Sequence, residues 1–158
     1  MKTIRVEEVY RLHGTATASV PDDVPLEYVI SRFAHEPGLR GMFLVDSHQR
    51  LAGIITRTDL MKWVHLQLFG GKGRHELMVS EFLRIVDARK ARDLVRGDQH
   101  AVAVKETDTL QTALDKMLDY EEDVLPVLDI GGRILGDLRL SEVLLKAIKA
   151  GKQARDSD

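Results

Sequence analysis

In the stretch Gly53–Leu60, GIITRTDL, an apolar run breaks at Thr56 and a carboxylate, Asp59, follows three residues later. A strand ending at Ile55, followed by a helix starting near Thr58, leaves unpaired N–H groups and the positive end of a helix dipole, which together favour an anion. The Thr56 hydroxyl can donate to a phosphate there. An ionised Asp59 only accepts, so it can take both protons of a hydroxyl pair. Arg57 adds a neighbouring positive charge, and Gly53 would let a ligand come close to the backbone. Thr-x-x-Asp before an apolar run is also nearly a capping box, which holds a helix end without any ligand. Both roles can coexist, because a ligand can displace a cap.

Other chemistries lack the residues they need. There is no cysteine, so disulfides, thiolate nucleophiles and cysteine metal sites are excluded. None of the six histidines pairs at metal-ligand spacing, and His75-Glu76 lacks the second histidine of a zinc helix. GGKGRH has no glycine at the phosphate-loop spacing and no Ser or Thr after Lys72. No serine sits in a nucleophile elbow. With 23 basic and 25 acidic side chains the net charge is −2, which gives no overall field for nucleic acid. Aromatics at 5% offer few platforms for stacked bases. No apolar run reaches membrane-spanning length and the N-terminus lacks a signal-peptide core, so a cytoplasmic protein is expected.

The elements that must position Thr56 and Asp59 occur twice. Ala18 and Val20 open one copy as a short alternating strand, and Val102 and Val104 open the other. Leu26, Val29, Ile30 and Phe33 then mark one helix face, matched by Leu110, Ala113, Leu114 and Met117. Pro25 suits a first helical position and Asp108 an N-cap. MFLVD and LAGII read as a hairpin, as do LPVLD and ILGDL. A closing helix carries Leu60, Trp63 and Val64 in one copy and Val143, Leu144, Ala147 and Ile148 in the other. Each copy is β-α-β-β-α and too short to bury its own faces. The expected fold is therefore α+β, two repeats packed with pseudo-twofold symmetry, with IRVEEVYR and ARDLVR each extending the repeat it precedes. The expected divisions are 1–69, an inserted linker and helix at 70–90 with Met78, Phe82 and Ile85 as its apolar stripe, 91–150, and a fraying tail at 151–158.

The doubled unit, with GIITRTDL and DVLPVLD as its strongest local matches, resembles a tandem pair of cystathionine-β-synthase (CBS) domains, a Bateman module. The resemblance implies a non-catalytic regulatory module whose ligand is an adenosyl compound: AMP, ADP, ATP or S-adenosylmethionine. No further cofactor and no metal is implied. The ligand would lie in the cleft between repeats, with Thr56 on phosphate and Asp59 on ribose. Thr17, Ala18 and Ser19 on one side and Met42, Phe43, Leu44 and Val45 on the other would form the adenine slot. Ile54, Arg57 and Thr58 complete that set. Phe43 departs from the proline common in the family and kept in copy two as Pro126. A possible second site comprises Val102, Val124, Leu125, Pro126, Val127 and Glu142. Aligning GDLRLSEV with GIITRTDL puts Asp137, Arg139 and Glu142 in place of Ile54, Thr56 and Asp59. Arg139 and Glu142 either form an exposed ion pair, or Arg139 serves the first site across the repeats.

Family members commonly pair into flat discs. A homodimer is accordingly expected, contacting through Trp63, Leu66, Leu68, Leu144 and Ile148, with an unidentified regulated protein as partner. Two rivals belong to other classes: a degenerate pair that acts as a protein-interaction scaffold without nucleotide, and a small phosphohydrolase, which lacks a metal cluster and a nucleophile.

Overall fold

A computed structural model describes residues 3–10, 17–70, 79–95 and 102–156. The chain divides into two compact units, each built on one three-stranded sheet. The class is α+β, with the two repeats read from the sequence.

Residues 17–95 form one unit. Its elements are β1 (Thr17–Pro21), α1 (Leu26–His35), β2 (Gly41–Val45), β3 (Leu51–Thr56), α2 (Arg57–Phe69), α3 (Val79–Val86) and a 3-10 turn (Ala91–Leu94). β2 lies between β1, parallel to it, and β3, antiparallel to it. The expected hairpin is thus present. Its turn is held by Asp46, whose Oδ1 accepts the N–H groups of His48 (2.8 Å) and Arg50 (3.0 Å). Leu26 and Val29 of α1 are buried, and Ile30 and Phe33 pack partly against the same core as Met42, Leu44 and Ile55. The helix face expected from 3.6-residue spacing is the one that faces inward.

The inserted segment contains a helix, α3, as expected. Ile85 enters the core, whereas Phe82 of the expected stripe is exposed, as are Val79, Leu83 and Val86. Met78 lies outside the described residues.

Residues 3–10 and 102–156 form the other unit: a 3-10 turn (Val6–Glu8), β4 (Val104–Lys105), α4 (Leu110–Tyr120), β5 (Val124–Leu128), β6 (Ile134–Arg139) and α5 (Leu140–Asp156). β5 again lies between a parallel and an antiparallel neighbour. Three details correct the sequence reading. The first strand is shorter than expected, because Val102 precedes its pairing. The N-cap of α4 is Thr109, whose Oγ1 accepts the Thr112 N–H at 3.1 Å. Asp108 is drawn back one turn instead, where it accepts the Lys105 N–H at 2.9 Å. Finally, α5 continues through GKQARD to Asp156, in keeping with its good helix formers Lys, Gln, Ala and Arg.

A larger correction concerns the leading segments, each of which packs in the unit of the other repeat. Val6 N–H donates to Asp108 O (2.9 Å), Glu7 N–H to Glu106 O (3.1 Å), and Leu110 N–H to Ile4 O (2.8 Å). The same three bonds recur in the first unit: Ala91 N–H to Val24 O (2.9 Å), Arg92 N–H to Asp22 O (3.0 Å), and Leu26 N–H to Arg89 O (2.8 Å). Each clip therefore satisfies donors and acceptors where the first strand turns into the first helix, a place with unpaired backbone groups. Val6 and Val9 are buried in one unit, and Ala91 and Leu94 in the other.

Asp93 ties the second clip by accepting the N–H groups of Lys90 (2.9 Å) and Arg89 (3.0 Å). These bonds, that from Lys90 foremost, hold its carboxyl below the usual carboxylate range. A depressed folded value means the stabilisation is full above the unfolded value, about 3.9, and is lost as pH falls through the folded one. Asp93→Asn should therefore flatten the stability–pH curve in the acid limb, below about pH 4. Urea denaturation across that range measures it, and a slope equal to that of the unaltered protein would contradict this role.

Candidate functional site

Thr56 ends β3 and is the N-cap of α2, with φ −109° and ψ 169°. Asp59 stands three residues into the turn. Its Oδ2 accepts the Thr56 N–H at 2.9 Å and the Thr56 hydroxyl at 3.1 Å, while Asp59 N–H lies 3.4 Å from the Thr56 Oγ1. The capping box is thus formed, and Asp59 is only 3% exposed. A hydroxyl and a carboxylate are held as one unit at the strand–helix junction.

Arg57 is committed elsewhere. Its Nε donates to Leu39 O at 3.1 Å and its Nη2 donates to Pro37 O, so the guanidinium pins the connection from α1 to β2. Thr58 is exposed in the first turn of α2.

The pleat separates the residues grouped for the adenine slot. Ala18, Met42 and Ile55 are register partners, and Met42, Leu44 and Ile55 lie in the core beneath the helices. Ser19, Phe43 and Ile54 form the adjacent row, which strand alternation turns to the opposite face together with Thr56. Ser19 is exposed, whereas Phe43, at 2%, and Ile54 are buried. Val45 follows a register shift, and Thr17 pairs with Gly41 at the strand end. Period-two alternation was the sequence signal that separates Met42 and Leu44 from Phe43.

Gly53 has a different role from the one expected. A Cβ there would lie 2.4 Å and 2.7 Å from the Cγ2 and Cγ1 of Val95, so the group pressed against its backbone is the clip's own side chain. Gly136 is its counterpart, where a Cβ would meet the Tyr10 ring at 3.1 Å and 3.2 Å. Tyr10 also donates its hydroxyl to Glu106. Neither Val95 nor Tyr10 was singled out in the sequence. A mid-strand glycine in both copies was the only hint that something bulky lay across it.

In the second unit Pro126 pairs with Asp137 as Phe43 does with Ile54, and Val124 with Arg139. Leu125 and Val127 are buried in the core, and Val102 is also buried. Glu142 accepts the Arg139 N–H at 3.1 Å, the counterpart of the Asp59–Thr56 bond. Its Oε1 lies 3.5 Å from Arg139 Nε. The ion pair expected at this helix start is present, but it is not exposed: Glu142 is 0% and the Arg139 side chain 18% accessible. Among the described residues, no three His, Asp or Glu side chains gather as a metal site.

A shallow apolar groove of about 640 Å³ runs along α1 and α2, lined chiefly by Phe33, Leu60, Met61, Val64 and Phe69. Of the expected dimer contacts, Leu66 faces the core and Trp63 packs partly against it, while Leu68, Leu144 and Ile148 are exposed.

The CBS domain model matches residues 9–66 and again 91–148. The chain belongs to the CBS domain family. A CBS domain-containing protein from Thermotoga maritima is 25% identical and superimposes with a TM-score of 0.74, covering 94% of this chain and 97% of that one. The CBS domain pair of protein MJ0100, in complex with 5′-methylthioadenosine and S-adenosylmethionine, is 16% identical with a TM-score of 0.63, over 96% and 99% of the two chains. A CBS domain protein from Pyrobaculum aerophilum complexed with AMP is 17% identical with a TM-score of 0.62, over 88% and 89%. The comparison with curated proteins finds no match. Among the described residues, no helix of this CBS pair is long and apolar enough to cross a membrane.

The contact at Gly53 gives a direct test of the clip. Gly53→Ala should destabilise the protein by about 1–3 kcal/mol through overpacking. Val95→Ala should relieve much of that, so that the double variant is more stable than the sum of the single changes implies. Denaturation of the four proteins measures the coupling, and additive losses would mean that Val95 does not press on Gly53.

Proposed function

We propose that this CBS pair is a non-catalytic regulatory module of the cytoplasm that binds an adenosyl ligand, AMP, ADP, ATP or S-adenosylmethionine, at the Thr56–Asp59 junction. The observation that carries the reading is the pairing of a hydroxyl with a buried carboxylate at the end of a sheet row that includes Ser19 and Ile54. Asp59 then exchanges its bond to Thr56 for bonds to the ribose hydroxyls, and Thr56 turns to the phosphate. The adenosyl ligands of the solved CBS proteins support the choice of ligand class. Ligand favours the conformation that binds it best, and a regulated protein responds to the shift in population.

A second reading has its own support. Phe43 and Ile54 are buried bulky side chains in the row where a base would lie, which suits a scaffold that binds protein and no nucleotide. Thermal shifts with adenine nucleotides separate the two, since a ligand bound only by the folded state raises the melting temperature.

Asp59→Asn keeps one acceptor for the cap but loses the charge. It should lower adenosyl-ligand affinity about tenfold, the loss of roughly 1.4 kcal/mol expected for a charged hydrogen bond. Calorimetry on the folded variant measures this, and unchanged affinity would reject the site.

The module also pairs with a second copy in this reading. The outward residues of α2 and α5, Met61, Val64 and Leu68 with Leu144 and Ile148, are apolar and exposed, with Met61 at 64%. Light scattering should give twice 17.8 kDa, and Met61→Glu should shift the protein towards monomer. A monomeric unaltered protein would overturn the dimer.

A further inference from the structure

Two apolar surfaces of the 17–95 unit are uncovered, and one is hollow where the other projects. The hollow is the groove of about 640 Å³ along α1 and α2. The projection is the outer side of α3. Ile85 fixes the inner side of that helix in the core, and Arg84 Nη1 ties it to the clip by donating to Leu94 O at 2.6 Å. Val79, Phe82, Leu83 and Val86 are exposed, Leu83 at 64%. They fall at i, i+3, i+4 and i+7 and so form one ridge, the form an amphipathic helix presents when it lies in a hydrophobic groove. The CBS model leaves residues 67–90 unmatched, so the ridge belongs to this chain and not to the family pattern.

We propose that α3 of one copy lies in the α1–α2 groove of a second copy, which returns its own α3 to the first. Ridge and groove sit on one unit, so a twofold arrangement uses each of them twice and covers both. Charge sets the direction. Arg57 lines the groove at the start of α2; its guanidinium donates to two carbonyls and, among the described residues, meets no carboxylate. Asp87 is exposed just past the C-terminal end of the ridge. Placing Asp87 against Arg57 sets α3 antiparallel to the α2 that receives it. Asp87 back to Val79 and Arg57 on to His65 are both eight positions, 87 − 79 and 65 − 57, about 12 Å of helix in each case. Leu83 then arrives at Met61, midway along both. The inference rests on the reading that the module pairs, and assigns to α3 the surface that the pairing uses.

The chain has no cysteine, so introduced ones report without background. Full-length Met61→Cys and Leu83→Cys proteins are mixed and oxidised, and mass spectrometry of the joined peptides reads which positions are linked. A disulfide from 61 to 83, which in this mixture can only join two copies, is expected. By analytical ultracentrifugation, Leu83→Glu should raise the dissociation constant of the dimer about tenfold or more. The exposure of Leu83 means that this change does not threaten the fold. Asp87→Lys, which brings like charges together at that end, should weaken the dimer as well, and undiminished pairing would overturn the antiparallel placement. A dimer that survives Leu83→Glu but not Met61→Glu, with no link from 61 to 83, would overturn the α3 contact and leave pairing through α2 standing. A monomeric unaltered chain would overturn both.

Discussion

A three-stranded sheet with two helices leaves backbone donors and acceptors open where its first strand turns into its first helix. In both units a short segment from the start of the other repeat closes that gap with three main-chain hydrogen bonds. The segment then runs across the sheet, and its last bulky side chain, Val95 or Tyr10, lies against a strand glycine. The rest follows from that contact. It requires glycine at 53 and 136, and it places Leu94 in the first unit's core and Val6 and Val9 among the buried residues of the second. β3 and β6 are thereby fixed, and their ends carry the candidate site residues.

The same junction chemistry appears twice with different charge. At the first, a threonine hydroxyl and an aspartate satisfy each other. At the second, a glutamate caps the strand-end N–H in the same way, and its neighbour is a guanidinium instead of a hydroxyl. The backbone requirement for an acceptor at the third helical position explains why both carboxylates are buried. It does not require a threonine in one repeat and an arginine in the other.

Side-chain periodicity carried most of the architecture. The helix faces at Leu26–Phe33 and Leu110–Met117, the two hairpins, and the alignment of Arg139 and Glu142 with Thr56 and Asp59 all follow from spacing. What spacing did not reveal was held by main-chain bonds, which have no residue signature. Nothing in IRVEEVYR or ARDLVR marks which repeat it joins, because the bonds that decide it come from peptide groups. The choice of Thr109 over Asp108 as cap turned on a similar local competition, since Asp108 has a better use at Lys105. Within the candidate site, the Thr56–Asp59 pair was legible from residue type. The commitment of Arg57 was not, because its partners are the carbonyls of Pro37 and Leu39.

The crossed leading segments also bear on how the molecule can be divided. A cut at the repeat boundary seen in sequence, after residue 69, would release a first half without the 89–95 clip and a second half without residues 3–10. Neither piece would hold its own closing strand of hydrogen bonds. A faithful half is residues 17–95, which are contiguous. The other exists as a single polypeptide only if residues 3–10 are joined by a new linker to the segment that begins at 102. Gene order and mechanical order therefore differ in this protein: translation completes the first unit only when residue 95 has emerged, past residue 91, where the repeat pattern begins the second.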